Sequence, residues 1–99
     1  MERELIIAPS LLASDFARFG EEARRALQSG ADWLHLDVMD GHFVPNISFG
    51  PEVVRTMRRE VPEATLDVHL MIETPENMLA AFAEAGASRL TVHVETCPH

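Results

Sequence analysis

Four runs in this 99-residue chain set chemically able side chains two residues apart. His35, Asp37 and Met39 alternate with Leu34, Leu36 and Val38, and Asp67, His69 and Met71 alternate with Leu66, Val68 and Leu70. Thr91, His93 and Glu95 alternate in the same way with Leu90, Val92 and Val94, while Ile6, Ala8 and Ser10 line up in the earliest run. Residues two apart on a strand share a face. Each run therefore presents one aliphatic face, a natural seat for helices, and one face carrying imidazoles, carboxylates and thioethers. Burying that many polar groups without partners costs several kcal/mol. A divalent cation would satisfy them, because imidazole nitrogen and carboxylate oxygen from adjacent strands can meet one ion. His35, Asp37 and His69 form the simplest such set. The competing reading is a half-open sheet whose polar face meets water, with Met39 and Met71 as core filler. Repetition of the pattern on neighbouring strands favours the site.

The elements that must position these residues are marked by their boundaries. Leu5 to Ala8 is a short apolar run closed by Pro9, Trp33 to Met39 a second, Thr65 to Ile72 a third and Arg89 to Glu95 a fourth, all read as strands. Between them lie three helices. The first, Glu21 to Gln28, follows the capping residues Ser14 and Asp15, pairs Glu21 with Arg25 and ends at Gly30. The second opens on Gly50 and Pro51 and runs through Glu60, with Pro62 closing it. The third starts at Thr74-Pro75-Glu76 and ends at Gly86. Gly30-Ala31-Asp32-Trp33-Leu34 is echoed by Gly86-Ala87-Ser88-Arg89-Leu90, two β-α units later. Strands alternating with helices of this length imply parallel pairing and right-handed crossovers. The expected fold is α/β, βαβαβαβ with four parallel strands in a single domain over residues 1–99.

The loop Asp40-Gly41-His42-Phe43-Val44-Pro45-Asn46 follows the second strand, at the end where α/β barrels place their active sites. His42, Asn46 and Ser48 offer polar contacts there. For His42 the favoured reading is an Asx-type turn closed by Phe43 and Val44.

Composition narrows the function. With 8 basic residues, all arginine, against 16 acidic ones the net charge is −8, which speaks against nucleic acid or an anionic membrane as partner. No apolar run reaches the length of a membrane span, and no basic start precedes one as in a signal peptide. The single cysteine, Cys97, cannot form an internal disulfide and suits a reducing, cytoplasmic compartment.

Ala8-Pro9-Ser10-Leu11-Leu12-Ala13-Ser14-Asp15, then Leu34-His35-Leu36-Asp37-Val38-Met39-Asp40-Gly41-His42-Phe43-Val44-Pro45-Asn46, then Leu66-Asp67-Val68-His69-Leu70-Met71 resemble the ribulose-phosphate 3-epimerase family. The likeness runs over essentially the whole chain, and the string His-x-Asp-x-Met-Asp-Gly-x-Phe-Val-Pro-Asn is highly specific. It implies the N-terminal half of a (β/α)₈ barrel, a fold of roughly 250 residues when complete. It implies interconversion of D-ribulose 5-phosphate and D-xylulose 5-phosphate, in the pentose phosphate pathway, through a metal-stabilised 2,3-enediolate, with two aspartates exchanging the C3 proton on opposite faces. Matched by motif, His35, Asp37 and His69 would be metal ligands for Zn²⁺, Fe²⁺, Mn²⁺ or Co²⁺. Asp37 would also be one of the two acid–base carboxylates. Ser10 would contact the substrate together with His35 and His69, and Met39 and Met71 would pack sulfur against the planar intermediate and exclude water. His93 and Glu95 receive no role.

The second aspartate, which is also a fourth ligand, and the glycine-rich phosphate cradle belong to later strands, and no residue here matches them. The expectation is therefore a chain with little or no epimerase activity alone, completed by a C-terminal half-barrel or by a second copy of itself. Two rivals stand beside this reading. One is a self-associating half-barrel scaffold without catalysis, which unpaired sheet edges would favour. The other is a sister epimerase acting on allulose 6-phosphate, ranked lower because the His-Phe-Val-Pro-Asn loop fits the pentulose enzyme better.

Overall fold

A computed structural model of the chain describes residues 5–97. Three parallel strands, β1 (Trp33–Met39), β2 (Thr65–Met71) and β3 (Arg89–Thr91), form a sheet in that order. Three helices, α1 (Phe19–Gln28), α2 (Pro51–Glu60) and α3 (Leu79–Ala85), connect and cover it. The arrangement is α/β with parallel strands, as the alternation of runs predicts.

The period-2 pattern decides which side the helices take. Leu34, Leu36, Leu66, Val68 and Leu70 are fully buried and Val38 nearly so, meeting Ala23 of α1, Val54 and Met57 of α2, and Phe82 and Ala85 of α3. At about 25 cal/mol per Å² of apolar surface removed from water, this one-sided core is what holds the layers together. The opposite strand residues are all partly exposed. The molecule spans 41 × 38 × 25 Å, one sheet and one helical layer, with the polar side uncovered among the described residues.

Helix ends follow local chemistry. Pro51 opens α2 at a position where its missing N–H costs nothing. Gly86 ends α3 with φ +119°, and the equivalent glycine two units earlier, Gly30, has φ +110°. The 56-residue sequence echo is thus a repeated backbone turn into a strand. Trp33 and Arg89, which open β1 and β3, touch across the sheet, the guanidinium 4.7 Å from the ring centroid. Among the described residues no helix is long and apolar enough to cross a membrane.

Several boundaries differ from the sequence expectation. Leu5–Ala8 is extended but is not a strand, and among the described residues the early segment's one bridge comes after it, at Ser10 beside His35. Ile7 carbonyl accepts from the Asp32 and Trp33 amides and Pro9 carbonyl from His35, but Ile7 N–H donates to the Asp32 carboxylate. Pro9 has no N–H at all, so the reciprocal half of the ladder is missing. The last strand runs three residues rather than seven. Beyond Thr91 the chain leaves β2 and turns into a 3-10 segment at Val94–Thr96, leaving Val94 77% exposed. A strand paired on one edge only has half the hydrogen bonds to hold it straight. α1 starts two residues early, at Phe19, and its neighbour pairs are Arg18–Glu21 and Arg25–Glu22 rather than Glu21–Arg25. The third helix begins as a 3-10 turn at Pro75–Asn77 before α3 proper.

A candidate metal and acid–base site on the uncovered face

The register between β1 and β2 sets the site. His35 stands opposite Asp67, Asp37 opposite His69 and Met39 opposite Met71. Because parallel strands hold one another in step, the polar residues form a grid on one face rather than two separate stripes. Ser10 joins it from the extended segment beside His35.

Asp37 lies at its centre. Its Oδ1 is 3.0 Å from His35 Nε2 and 3.3 Å from His69 Nδ1. Its Oδ2 accepts a 2.6 Å hydrogen bond from Ser10 Oγ. Partial burial of the carboxyl disfavours its charge, but Ser10's hydrogen bond, attraction to His35 and the close ring nitrogens of His69 and His35 together outweigh it. Asp37 is held below the usual carboxylate range, hence ionised at neutral pH.

The histidines are held from behind. His35 Nδ1 lies 2.9 Å from Asp67 Oδ2. His69 Nε2 lies 2.8 Å from His93 Nε2, and the two rings are stacked with centroids 4.9 Å apart. Phe43 packs on His93 at 5.0 Å, and His93 Nδ1 faces Glu95 Oε2 at 3.8 Å. Nitrogens of His35 and His69 and an oxygen of Asp37 all lie within 4.8 Å of one another.

This donor set suits a divalent cation. Both ring nitrogens of His35 point at carboxylate oxygens, and a neutral imidazole has one proton to offer. With that proton on Nδ1, Nε2 and Asp37 Oδ1 confront each other as lone pairs, and only a second proton or a cation reconciles them. Ring nitrogens and a carboxylate oxygen are the ligand types that Zn²⁺ and its neighbours share.

The loop after β1 frames the site's upper end. Asp40 Oδ1 accepts from the amides of His42 and Phe43 at 2.8 and 2.9 Å, and Oδ2 accepts from Glu73 at 2.8 Å. One side chain thereby fastens the loops after β1 and β2 together. Asp40 also sits below the usual range: some desolvation opposes its charge, and those three backbone N–H groups and the charge of His42 overcome it. Ser48 doubles back, donating from Oγ to the Asp37 carbonyl and accepting from Met39 N–H. His42 is exposed, in the Asx-type turn that the sequence suggests for it.

A family profile described as "Ribulose-phosphate 3 epimerase family" matches residues 6–99. The chain belongs to the ribulose-phosphate 3-epimerase family. It is 55% identical over 93 residues to the ribulose-phosphate 3-epimerase of Bacillus subtilis (strain 168), covering 94% of this chain and 42% of that protein. The namesake of Rhodobacter capsulatus is 52% identical over 98 residues, 99% of this chain and 42% of its own length. That of Escherichia coli (strain K12) is 46% identical over 97 residues, with 98% and 43% covered. The chain thus spans somewhat under half the length of the epimerases it matches.

Of the sequence-derived residues, Ser10, His35, Asp37 and His69 converge through direct contacts, and Met39 and Met71 stand side by side at the strand ends. Sequence reasoning missed Asp67 and His93 as partners of the two histidines. Their period-2 placement was visible, but their pairing depends on strand register, which no single strand reveals. It also missed Asp40 and Ser48 as the fasteners of the loop.

Proposed function

We propose that this chain is the N-terminal half of an epimerase barrel, a single unit over residues 1–99, that supplies the metal ligands and one acid–base carboxylate for interconverting D-ribulose 5-phosphate and D-xylulose 5-phosphate. The convergence of His35, Asp37 and His69 on one point carries the reading. In it these three hold a divalent cation, Zn²⁺, Fe²⁺, Mn²⁺ or Co²⁺. When bound, that cation supplies Lewis-acid stabilisation for the negative charge that develops on the sugar oxygens. Asp37 Oδ1 faces the ring nitrogens, so Oδ2, hydrogen-bonded by Ser10, is the oxygen that takes the C3 proton. Its depressed pKa supports this role by keeping it unprotonated. Ser10, His35 and His69 border the sugar, and Met39 and Met71 lay thioether surface beside it to exclude water. The free thiol of Cys97 fits a cytoplasmic setting.

A complete turnover needs a second carboxylate on the far face and a cradle for the phosphate, and the family motifs for both lie outside this sequence. The partner that supplies them is the C-terminal half-barrel. Purified chain, loaded with each metal in turn and given D-ribulose 5-phosphate, is expected to produce no xylulose 5-phosphate above background. Substantial turnover would overturn the half-site reading. Metal binding itself is checked by Co²⁺ titration, in which His69→Gln is expected to abolish tight binding.

A second reading has its own observation. Leu5 and Ile47 are each 81% exposed, and the outer edge of β3 has no partner among the described residues. These surfaces favour a self-associating half-barrel. The names of the relatives favour a pentulose over a hexulose phosphate such as allulose 6-phosphate.

A further inference from the structure

The two histidines of the candidate site face Asp37 through different nitrogens, His35 through Nε2 and His69 through Nδ1. A neutral imidazole presents a lone pair at one nitrogen only, and which one is fixed by the bond the other nitrogen makes. For both to offer lone pairs at the same point, they must be locked in opposite tautomers.

The atoms behind them are suited to that. Asp67 as a carboxylate only accepts, so at 2.9 Å it requires a proton on His35 Nδ1. Between His69 Nε2 and His93 Nε2, at 2.8 Å, there is room for one proton. Its owner is set one step further out. Glu95 lies nearest His93 Nδ1, 3.8 Å away, and its negative charge favours the proton of His93 at that nitrogen. His93 Nε2 is then an acceptor, and the shared proton belongs to His69 Nε2. Packing holds the arrangement, with Phe43 against His93 and His93 stacked on His69.

We propose that Asp67 and His93 are positioning residues that lock His35 and His69 in opposite tautomers, Nδ1–H on the first and Nε2–H on the second, so that both lone pairs meet at Asp37. The idea rests on the metal-site reading for its purpose, but not for its test.

Long-range ¹H–¹⁵N correlation spectra of the metal-free ¹⁵N-labelled chain report which ring nitrogens carry protons. A protonated Nδ1 on His35 and an unprotonated Nδ1 on His69 are expected. His93→Leu should shift His69 toward the Nδ1–H form, and His93→Gln, whose amide oxygen still accepts, should restore it. In Zn²⁺ competition titrations Asp67→Leu and His93→Leu, which both remove the acceptor, should each weaken binding about 10- to 100-fold, with His93→Gln less affected. A His69 protonated at Nδ1 in the unmodified chain would overturn the proposal. So would wild-type Zn²⁺ affinity in both Asp67→Leu and His93→Leu while His35→Gln loses the metal. If His35→Gln also binds as wild type, the metal-site reading fails instead, and the tautomer spectra still decide this one.

Discussion

Asp37 shows how one side chain's state depends on neighbours drawn from three segments. Its burial alone would raise its pKa; the Ser10 hydroxyl is foremost among the contacts that reverse this. Ser10→Ala should therefore raise the Asp37 pKa toward the ordinary carboxylate range, followed by the carboxyl ¹³C shift across a pH series. The same change removes the side-chain cap on the Leu12 amide, costing about 1 kcal/mol of stability. An unmoved Asp37 titration would mean that the histidines alone hold it down. The side chains that converge here were legible as His-x-Asp and Asp-x-His alternations, because period 2 is a property of each strand by itself. Their partners were not. Asp67 stood on the polar face without an assigned partner until the register put it opposite His35, and His93 sits past the end of β3, where alternation no longer determines direction.

At the scale of elements, two fasteners outside the sequence patterns hold the frame. Arg58 near the end of α2 donates to the Gly86, Pro62 and Ala64 carbonyls and to Ser88 Oγ, tying the ends of α2 and α3 to the start of β2. Gly86 is required there twice over, by its positive φ and because a Cβ would come 2.8 Å from the Arg58 side chain. Arg58→Met keeps the aliphatic stem and orphans those carbonyls. A loss of about 1–3 kcal/mol is expected, read as a lower urea midpoint with unchanged slope. The second fastener is Asp40. Its folded-state pKa is depressed, so its grip on the two loops is fully present above the unfolded value near 3.9 and is lost as pH falls through the lower folded value. Amide exchange at His42, Phe43 and Glu73 should accelerate together in that acid window, ahead of the amides of β1. Protection unchanged across it would show that the loops hold without Asp40. Helix positions were readable from glycine and proline signals because those residues act locally. Strand extent was not, since Leu5–Ala8 and Val92–Glu95 have strand composition and lack a second neighbour to pair with.

For the whole molecule, the governing fact is that, among the described residues, one face and the outer edge of β3 have no cover and the β1 edge is covered only in part by the early segment. An aliphatic face buried under helices and a polar face open to water would be a stable end-point if the edges were blunted by charge or proline, as natural edge strands are. Pro9 does this partly for the early segment. The far side is less guarded, because beyond β3 the chain presents Val92 and Val94, and the early segment presents Leu5, Ile6 and Ile7, all exposed. Those two flanks lie on opposite sides of the sheet order, one beside β1 and the other beyond β2. Two copies related by a two-fold axis can therefore set the β3 edge of one against the early segment of the other, twice, and turn both polar faces inward. That closes the surface that a lone copy leaves open and brings two sets of His35, Asp37 and His69 into one interior. Sedimentation at tens of micromolar should accordingly give a dimer or larger species, and Val94→Lys, which places a charge at the edge without touching the core, should shift it toward monomer. A chain that stays monomeric over a hundredfold concentration range would remove the edges as a driving force. Adding a separately made C-terminal half of a family member should compete, converting the self-associated species into a one-to-one complex and restoring epimerase turnover that neither half has alone. Self-association that the added half cannot displace would instead favour the scaffold over the half-enzyme.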